Sequence, residues 1–202
     1  MAHNIENSKN TLTALLQKVQ DQAARSADFL APTNNLQKVT SENGAPGLVI
    51  EASRGVPTKH FKINDTAFGQ MATHAGIDTR TARRLQLGYS KQYDNLLNAI
   101  WDKEATVRMI RTHLNIEKEA GTVGDDGVVR AWVSDKFKTF DNSNLLESIL
   151  PPLMEKNLQV VSADLSEKRM YLRLKSLDQL GTGANVGDHM ANGIGFGNSE
   201  VG

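Results

Sequence analysis

The chain has 202 residues, no cysteine, and 23 basic and 23 acidic residues. The absence of cysteine excludes disulfides and thiolate metal sites and is typical of a reducing cytosol. Zero net charge excludes a global positive field, so a nucleic-acid partner would need a local basic face. The polar N-terminus does not resemble a signal peptide, and no apolar run reaches the roughly 18 residues of a membrane span. We therefore expect a cytoplasmic protein without a membrane partner.

Helical and strand-like patterns alternate in the first half of the chain. Apolar residues at helical spacing and N-cap residues predict helices over residues 11–31, 64–76, 78–88 and 90–101. Short apolar runs between turn formers predict strands over residues 36–39, 48–52 and 60–63. The helix over 90–101 carries an apolar stripe from Tyr93 to Trp101 that should face the core.

The second half begins with strand patterns. Residues 106–114 and 128–134 predict two strands around the glycine-rich segment GTVGDDG. Asn144 and Glu147 have the spacing of a capping box at the start of an apolar helix, which Pro151-Pro152 should kink or split. Residues 158–165 and 169–174 then predict a β-hairpin that turns at Ser166-Glu167-Lys168.

These elements predict an α+β fold. We expect an antiparallel sheet packed on helices, with an N-terminal helix and a helical section in the first half. Residues 1–31 are predicted to form a helical appendage, and residues 32–202 the α+β domain. The glycine-rich end, which finishes in GFGNSEVG, is interpreted as a strand of a larger domain that is cut short.

The second hairpin strand has the most informative pattern. Alternation along the strand sends Met170, Leu172 and Leu174 to one face. The opposite face receives Arg169, Tyr171, Arg173 and Lys175. Such a face suits single-stranded nucleic acid, because the cations can follow phosphates while the ring offers a stacking surface. The alternative is an ordinary half-buried strand with a solvated face.

A second basic segment precedes the Leu-rich helix. Lys136 and Lys138 flank Phe137 and could extend a basic face, and Arg130 lies on the strand before them. In the alternative, this segment is a surface turn from which Phe137 and Phe140 enter the core. The predicted nucleic-acid contacts are therefore Arg130, Lys136, Lys138, Arg169, Tyr171, Arg173 and Lys175.

No residue pattern predicts catalysis. The histidines show no HExxH spacing, and no nucleophile is paired with a base. The segment GTGANVG lacks the lysine of a phosphate-binding loop and the spacing of a dinucleotide loop. We therefore predict no catalytic residues, no metal, no cofactor and no enzyme activity.

Three segments resemble the DUF932 family of phage- and plasmid-associated proteins. They are AFGQMATHAGIDTRTARRL, VVRAWVSDKFKTFDNSNLLESILPPL and GIGFGNSEVG. In that family the chain continues past NSEVG, so the resemblance implies a truncated chain here. Lys136 stands where the family more often has Arg, so the positive charge is kept but the fork geometry of a guanidinium is lost. Phe137 stands where the family usually has Tyr, so a hydroxyl is lost. The resemblance implies a mobile-element protein but no catalytic residues.

The leading hypothesis is single-stranded DNA binding or annealing in phage or plasmid recombination or replication. The order of helix, hairpin and glycine-rich strand also resembles single-strand annealing proteins. The alternative hypothesis is a non-catalytic interaction module that acts as an adaptor or inhibitor of a host factor. Self-association and sequence preference are left open by the sequence.

Overall fold

The computed structural model describes residues 2–52, 57–115, 126–156, 158–176 and 193–202. The described helices are α1 (Ala2–Arg25), α2 (Asp65–His74), α3 (Thr79–Gly88), α4 (Ser90–Glu104) and α5 (Asn142–Met154). The described strands are β1 (Ser26–Pro32), β2 (Leu36–Thr40), β3 (Pro46–Ile50), β4 (Lys59–Ile63), β5 (Val107–Leu114), β6 (Gly127–Ser134), β7 (Leu158–Leu165), β8 (Met170–Ser176) and β9 (Gly193–Asn198). The α+β prediction is confirmed. Most of GTVGDDG (121–125) and all of GTGANVG (181–187) lie outside the described residues.

The chain divides into two compact units. The three-strand unit comprises Met1–Ala24 and Thr139–Glu200, and the six-strand unit comprises Arg25–Lys138 and Val201–Gly202. This division differs from the predicted boundary after residue 31. Leu15 of α1 is buried in the core of the three-strand unit, so α1 packs against the strands and helix α5 of that unit.

Helix α1 ends at Arg25, and the residues that follow it form β1, although a helix was predicted there. Strand β1 pairs with β5 in an antiparallel register that runs from Ser26 opposite His113 to Pro32 opposite Val107. Pairing with β5 satisfies the backbone hydrogen bonds of this segment, and such tertiary pairing overrides weak helical propensity.

The larger sheet has the strand order β1-β5-β6-β4-β3-β2. Its neighbouring strands are antiparallel except β4 and β6, which are parallel. This larger sheet is therefore mixed, whereas the predicted antiparallel sheet packed on helices is the three-strand sheet β7-β8-β9. Helices α2 to α4 and strand β5 lie between β4 and β6 in the sequence, and they supply the long crossover that parallel neighbours need.

Helices α2 and α4 pack on this sheet against β6 and β2, respectively. Trp101 of α4 is fully buried and stacks on Trp132 of β6, with ring centroids 4.8 Å apart. Tyr93 and Leu97 are buried as well, as the predicted stripe requires, while Leu96 remains 45% exposed. Asn64 caps α2 by accepting from the Ala67 N–H, and Asp78 caps α3 by accepting from the Thr81 N–H.

A lysine is buried in the same unit. Lys38 on β2 is 1% exposed, and its Nζ donates to Asp94 Oδ1 at 2.6 Å and to Gln86 Oε1 at 2.9 Å. Burial disfavours the ammonium ion and lowers the pKa of Lys38, although the hydrogen bond and charge of Asp94 oppose this shift. Lys38 therefore contributes to the fold and is not exposed to a ligand.

We predict that Asp94→Asn lowers the free energy of unfolding by about 3–5 kcal/mol, because it leaves a buried ammonium without its counter-charge. Urea denaturation measures this loss. The control is Asp65→Asn, which removes a surface carboxylate that pairs with Arg83 at 3.1 Å and should cost less than about 1 kcal/mol. Equal losses for the two variants would contradict the structural role of the buried pair.

Candidate nucleic-acid interface

Strand β8 has the two faces that its sequence predicts. Its buried side chains are Met170 (0% exposed), Leu172 (0%) and Leu174 (6%). Its exposed side chains are Tyr171, Arg173 and Lys175, and Arg169 just before the strand is also exposed. Strand β8 is the central strand of a sheet with the order β7-β8-β9, and both of its neighbours are antiparallel.

Helices α1 and α5 supply the core that determines which face of β8 is buried. Leu15, Val19 and Leu146 are nearly inaccessible and belong to the same cluster as the apolar side chains of β8. Burial of each such side chain stabilises the fold by about 1.5–3 kcal/mol. A shift of one residue would bring Arg173 into this core, so the outward direction of the cations follows from the packing.

Strand β9 has glycine opposite each exposed side chain of β8. The register pairs Tyr171 with Gly197, Arg173 with Gly195, and Lys175 with Gly193. Directly opposite residues point to the same face of a sheet, so the exposed side chains of β8 have no side chain beside them on β9. Around Gly195, no described atom lies within 4 Å of the position that a Cβ would occupy. These glycines were not predicted as part of the site, although their period of two in GIGFG was a usable signal.

Tyr171, Arg173 and Lys175 form the exposed row of β8, and strand β7 lies on its other side. On β7, Asp164 lies opposite Tyr171, Ser162 lies opposite Arg173, and Gln159 lies opposite Lys175. Among the residues that the structure describes, neither Arg173 nor Lys175 forms an ion pair. The two cations are therefore exposed and not neutralised by a described carboxylate.

On the exposed face, Tyr171 is hydrogen-bonded by Arg169 and its ring lies beside Gly197. Arg169 Nη1 donates a hydrogen bond to the Tyr171 hydroxyl at 3.1 Å. This bond raises the pKa of Arg169 further above its usual value. Ring atoms Cε1 and Cδ1 lie 3.3 and 3.4 Å from the position of a Cβ on Gly197. The ring, 43% exposed, thus leans over the backbone of β9.

Arg130 belongs to the six-strand unit and is not on an open surface. It is 5% exposed and lies at a β-bulge, where Val129 and Ala131 pair with the consecutive residues Thr112 and Arg111. A bulge adds one residue and changes the side-chain alternation, which the sequence pattern could not reveal. We therefore leave Arg130 out of the candidate interface.

Lys136 and Lys138 are exposed, and they also belong to the six-strand unit. Phe137 between them is partly buried against a small cluster that contains Val133 and Val201. Phe140 is 48% exposed, so only one of the two phenylalanines enters a core. The two lysines remain predicted contacts, separate from the row on β8.

Asn198 and Glu200 of the NSEVG segment bind the start of α5 within the three-strand unit. Glu200 is 9% exposed, and its Oε1 accepts a hydrogen bond from the backbone N–H of Asn142 at 2.5 Å. Asn198 Nδ2 donates to the carbonyl oxygen of Phe140 at 2.9 Å and to Asn142 Oδ1 at 3.0 Å. A carboxylate at a helix N-terminus satisfies a free N–H group and complements the helix dipole. The helix therefore begins at Asn142, before the predicted capping box, and continues to Met154 through both prolines.

Two further features of the described residues concern metal binding and membrane insertion. Among the residues that the structure describes, no three His, Asp or Glu side chains form a group that could hold a metal ion. None of the described helices is both long and apolar enough to cross a bilayer.

Comparison with known proteins finds no relative: no protein-family model, no curated protein and no solved structure matches the chain. The resemblance to the DUF932 family therefore stays a prediction from its sequence motifs. The case for a function depends on the exposed face of the β7-β8-β9 sheet.

We predict that Glu200→Ala lowers the free energy of unfolding by about 1–3 kcal/mol, because the buried Asn142 N–H loses its acceptor. Chemical denaturation gives the difference. Glu167→Ala, at an exposed position in the β7–β8 turn, serves as the control and should change stability by less than about 0.5 kcal/mol. A Glu200 variant as stable as the control would show that the carboxylate does not support α5.

Proposed function

We propose that the protein binds single-stranded DNA on the exposed face of the β7-β8-β9 sheet. Arg173 and Lys175 contact phosphates, Tyr171 stacks on a base, and Arg169 adds positive charge. The observation that carries this proposal is the exposed row of β8, in which Tyr171, Arg173 and Lys175 each lie opposite a glycine of β9. Neither of the two cations forms an ion pair within the described residues. A charged groove with an aromatic stacking surface is the usual chemistry of single-strand binding.

The physical requirements of a single strand match this surface better than those of a duplex. Unpaired bases expose their faces, and an aromatic ring can stack on any of them. An exposed ring that can stack on a base has no such partner in a duplex, where the base faces are covered by their neighbours. Because the net charge of the chain is zero, attraction to DNA depends on local cations and is strongest at low salt.

The biological role that fits this binding is DNA recombination or replication in a phage or plasmid, including annealing of complementary strands. The resemblance to the DUF932 family supports that context. Such a role requires no catalytic residue, metal or cofactor. Lys136 and Lys138 are proposed as additional phosphate contacts, because both are exposed.

We predict that affinity for an oligothymidine falls steeply with salt, and that Arg173→Ala/Lys175→Ala flattens this dependence. Each lost phosphate contact should reduce the slope of log K against log salt by about 0.7, so the double variant loses about 1.4. Fluorescence anisotropy at several salt concentrations measures the slope.

A matched control for that experiment is Lys91→Ala/Lys103→Ala, which removes the same charge from exposed positions of α4. It should leave the slope unchanged. If wild-type protein does not bind at low salt, the proposed function is wrong. If the protein instead captures a host protein in a pull-down that survives nuclease treatment, the adaptor hypothesis replaces it.

We also predict that Gly195→Val weakens binding about tenfold without harming the fold. Gly195 does not have a positive φ, and its missing Cβ would meet no described atom within 4 Å, so valine fits the strand. The branched side chain would instead occupy the open space beside Arg173. Thermal unfolding verifies the fold, and Gly195→Ala should give a smaller loss. Normal binding by a folded Gly195→Val protein would exclude this part of the face.

A further inference from the structure

We infer that Arg169 is a positioning residue for the ring of Tyr171 and not a phosphate contact, and that together with Gly197 it builds a stacking site for one unpaired nucleobase. This inference rests on the proposed function and deepens it. It divides the exposed row of β8 into a base-binding end at Tyr171 and a phosphate-binding end at Arg173 and Lys175.

The first observation is the hydrogen bond between two exposed side chains. Arg169 and Tyr171 are two residues apart, so their side chains leave the same face of the chain. Arg169 Nη1 donates to the hydroxyl oxygen at 3.1 Å, which restrains the far end of the ring. A ring that is already oriented loses less conformational entropy when a base stacks on it.

The second observation is the position of the ring over Gly197. Two ring carbons lie 3.3 and 3.4 Å from the place that a Cβ would take, so an alanine there would require the ring to shift by a few tenths of an ångström. At Gly195, by contrast, a Cβ would meet no described atom within 4 Å. Gly197 thus leaves space for the ring of Tyr171, and Gly195 leaves space beside Arg173.

The third observation is the charge next to the ring. Asp164 on β7 lies directly opposite Tyr171 and is exposed. This carboxylate offsets the positive charge of the Arg169 guanidinium beside the ring, so the Tyr171 end attracts phosphate less than the Arg173 end, while a neutral base can still stack there. Arg173 and Lys175 instead have Ser162 and Gln159 opposite them, so phosphate is favoured at their end.

The test compares an oligothymidine with an oligonucleotide of the same length in which abasic sites replace the bases. Both have the same phosphates, so their ratio of affinities reports what the bases contribute. Wild-type protein should prefer the oligothymidine by about 5- to 100-fold, the range expected for one stacked base. Tyr171→Ala should abolish this preference.

Arg169→Gln should reduce the base preference by about threefold to tenfold and leave the salt slope unchanged. Tyr171→Phe removes the hydroxyl that Arg169 contacts, so it should have the same effect, and the double variant should lose no more than either single variant. Gly197→Ala, which displaces the ring directly, should reduce the preference too. The control Arg173→Gln should flatten the salt slope and retain the preference.

The outcomes separate this inference from the proposed function. If Arg169→Gln flattens the salt slope and keeps the base preference, Arg169 is a phosphate contact and the inference is overturned while single-strand binding stands. If wild-type protein binds both oligonucleotides equally, Tyr171 does not stack on a base. If it binds neither, the proposed function fails as well.

Discussion

The burial of three alternate side chains of β8 is the constraint on which the candidate site depends. Met170, Leu172 and Leu174 pack into a core built with α1 and α5, and a register shift of one residue would turn them outward. Their burial directs the cations and Tyr171 outward. The interface is thus a consequence of hydrophobic packing on the opposite face, and a loss of that packing would remove the interface with it.

Two sequence blocks that lie far apart in the chain meet at the start of α5. Asn142 follows the basic segment, and Asn198 and Glu200 belong to the last block, yet their polar groups form one hydrogen-bonded cluster. This cluster gives a structural reason for the residue types in both blocks. Helix α5 in turn contributes Leu146 to the core beneath β8, so the end of the chain supports the sheet that carries the candidate interface.

Basic residues have opposite roles in different parts of this protein. Lys38 and Arg111 are each 1% exposed and interact with Asp94 and Asp28, so they contribute to the folded core. Arg173 and Lys175 belong to the same residue classes but have no ion pair within the described residues. Net charge and composition cannot separate these roles, because they depend on whether a carboxylate lies within a few ångströms in the folded state.

The sequence alone determined the α+β class, most element positions and the two faces of β8, because hydrophobic periodicity is a local property. The tertiary structure alone decided that β1 is a strand, that β4 and β6 are parallel, that a bulge buries Arg130, and that Glu200 reaches the start of α5. It also decided that glycines of β9 lie beside the cations of β8. Each of these features depends on contacts between residues distant in the sequence, and no local pattern encodes which distant partner a segment will meet.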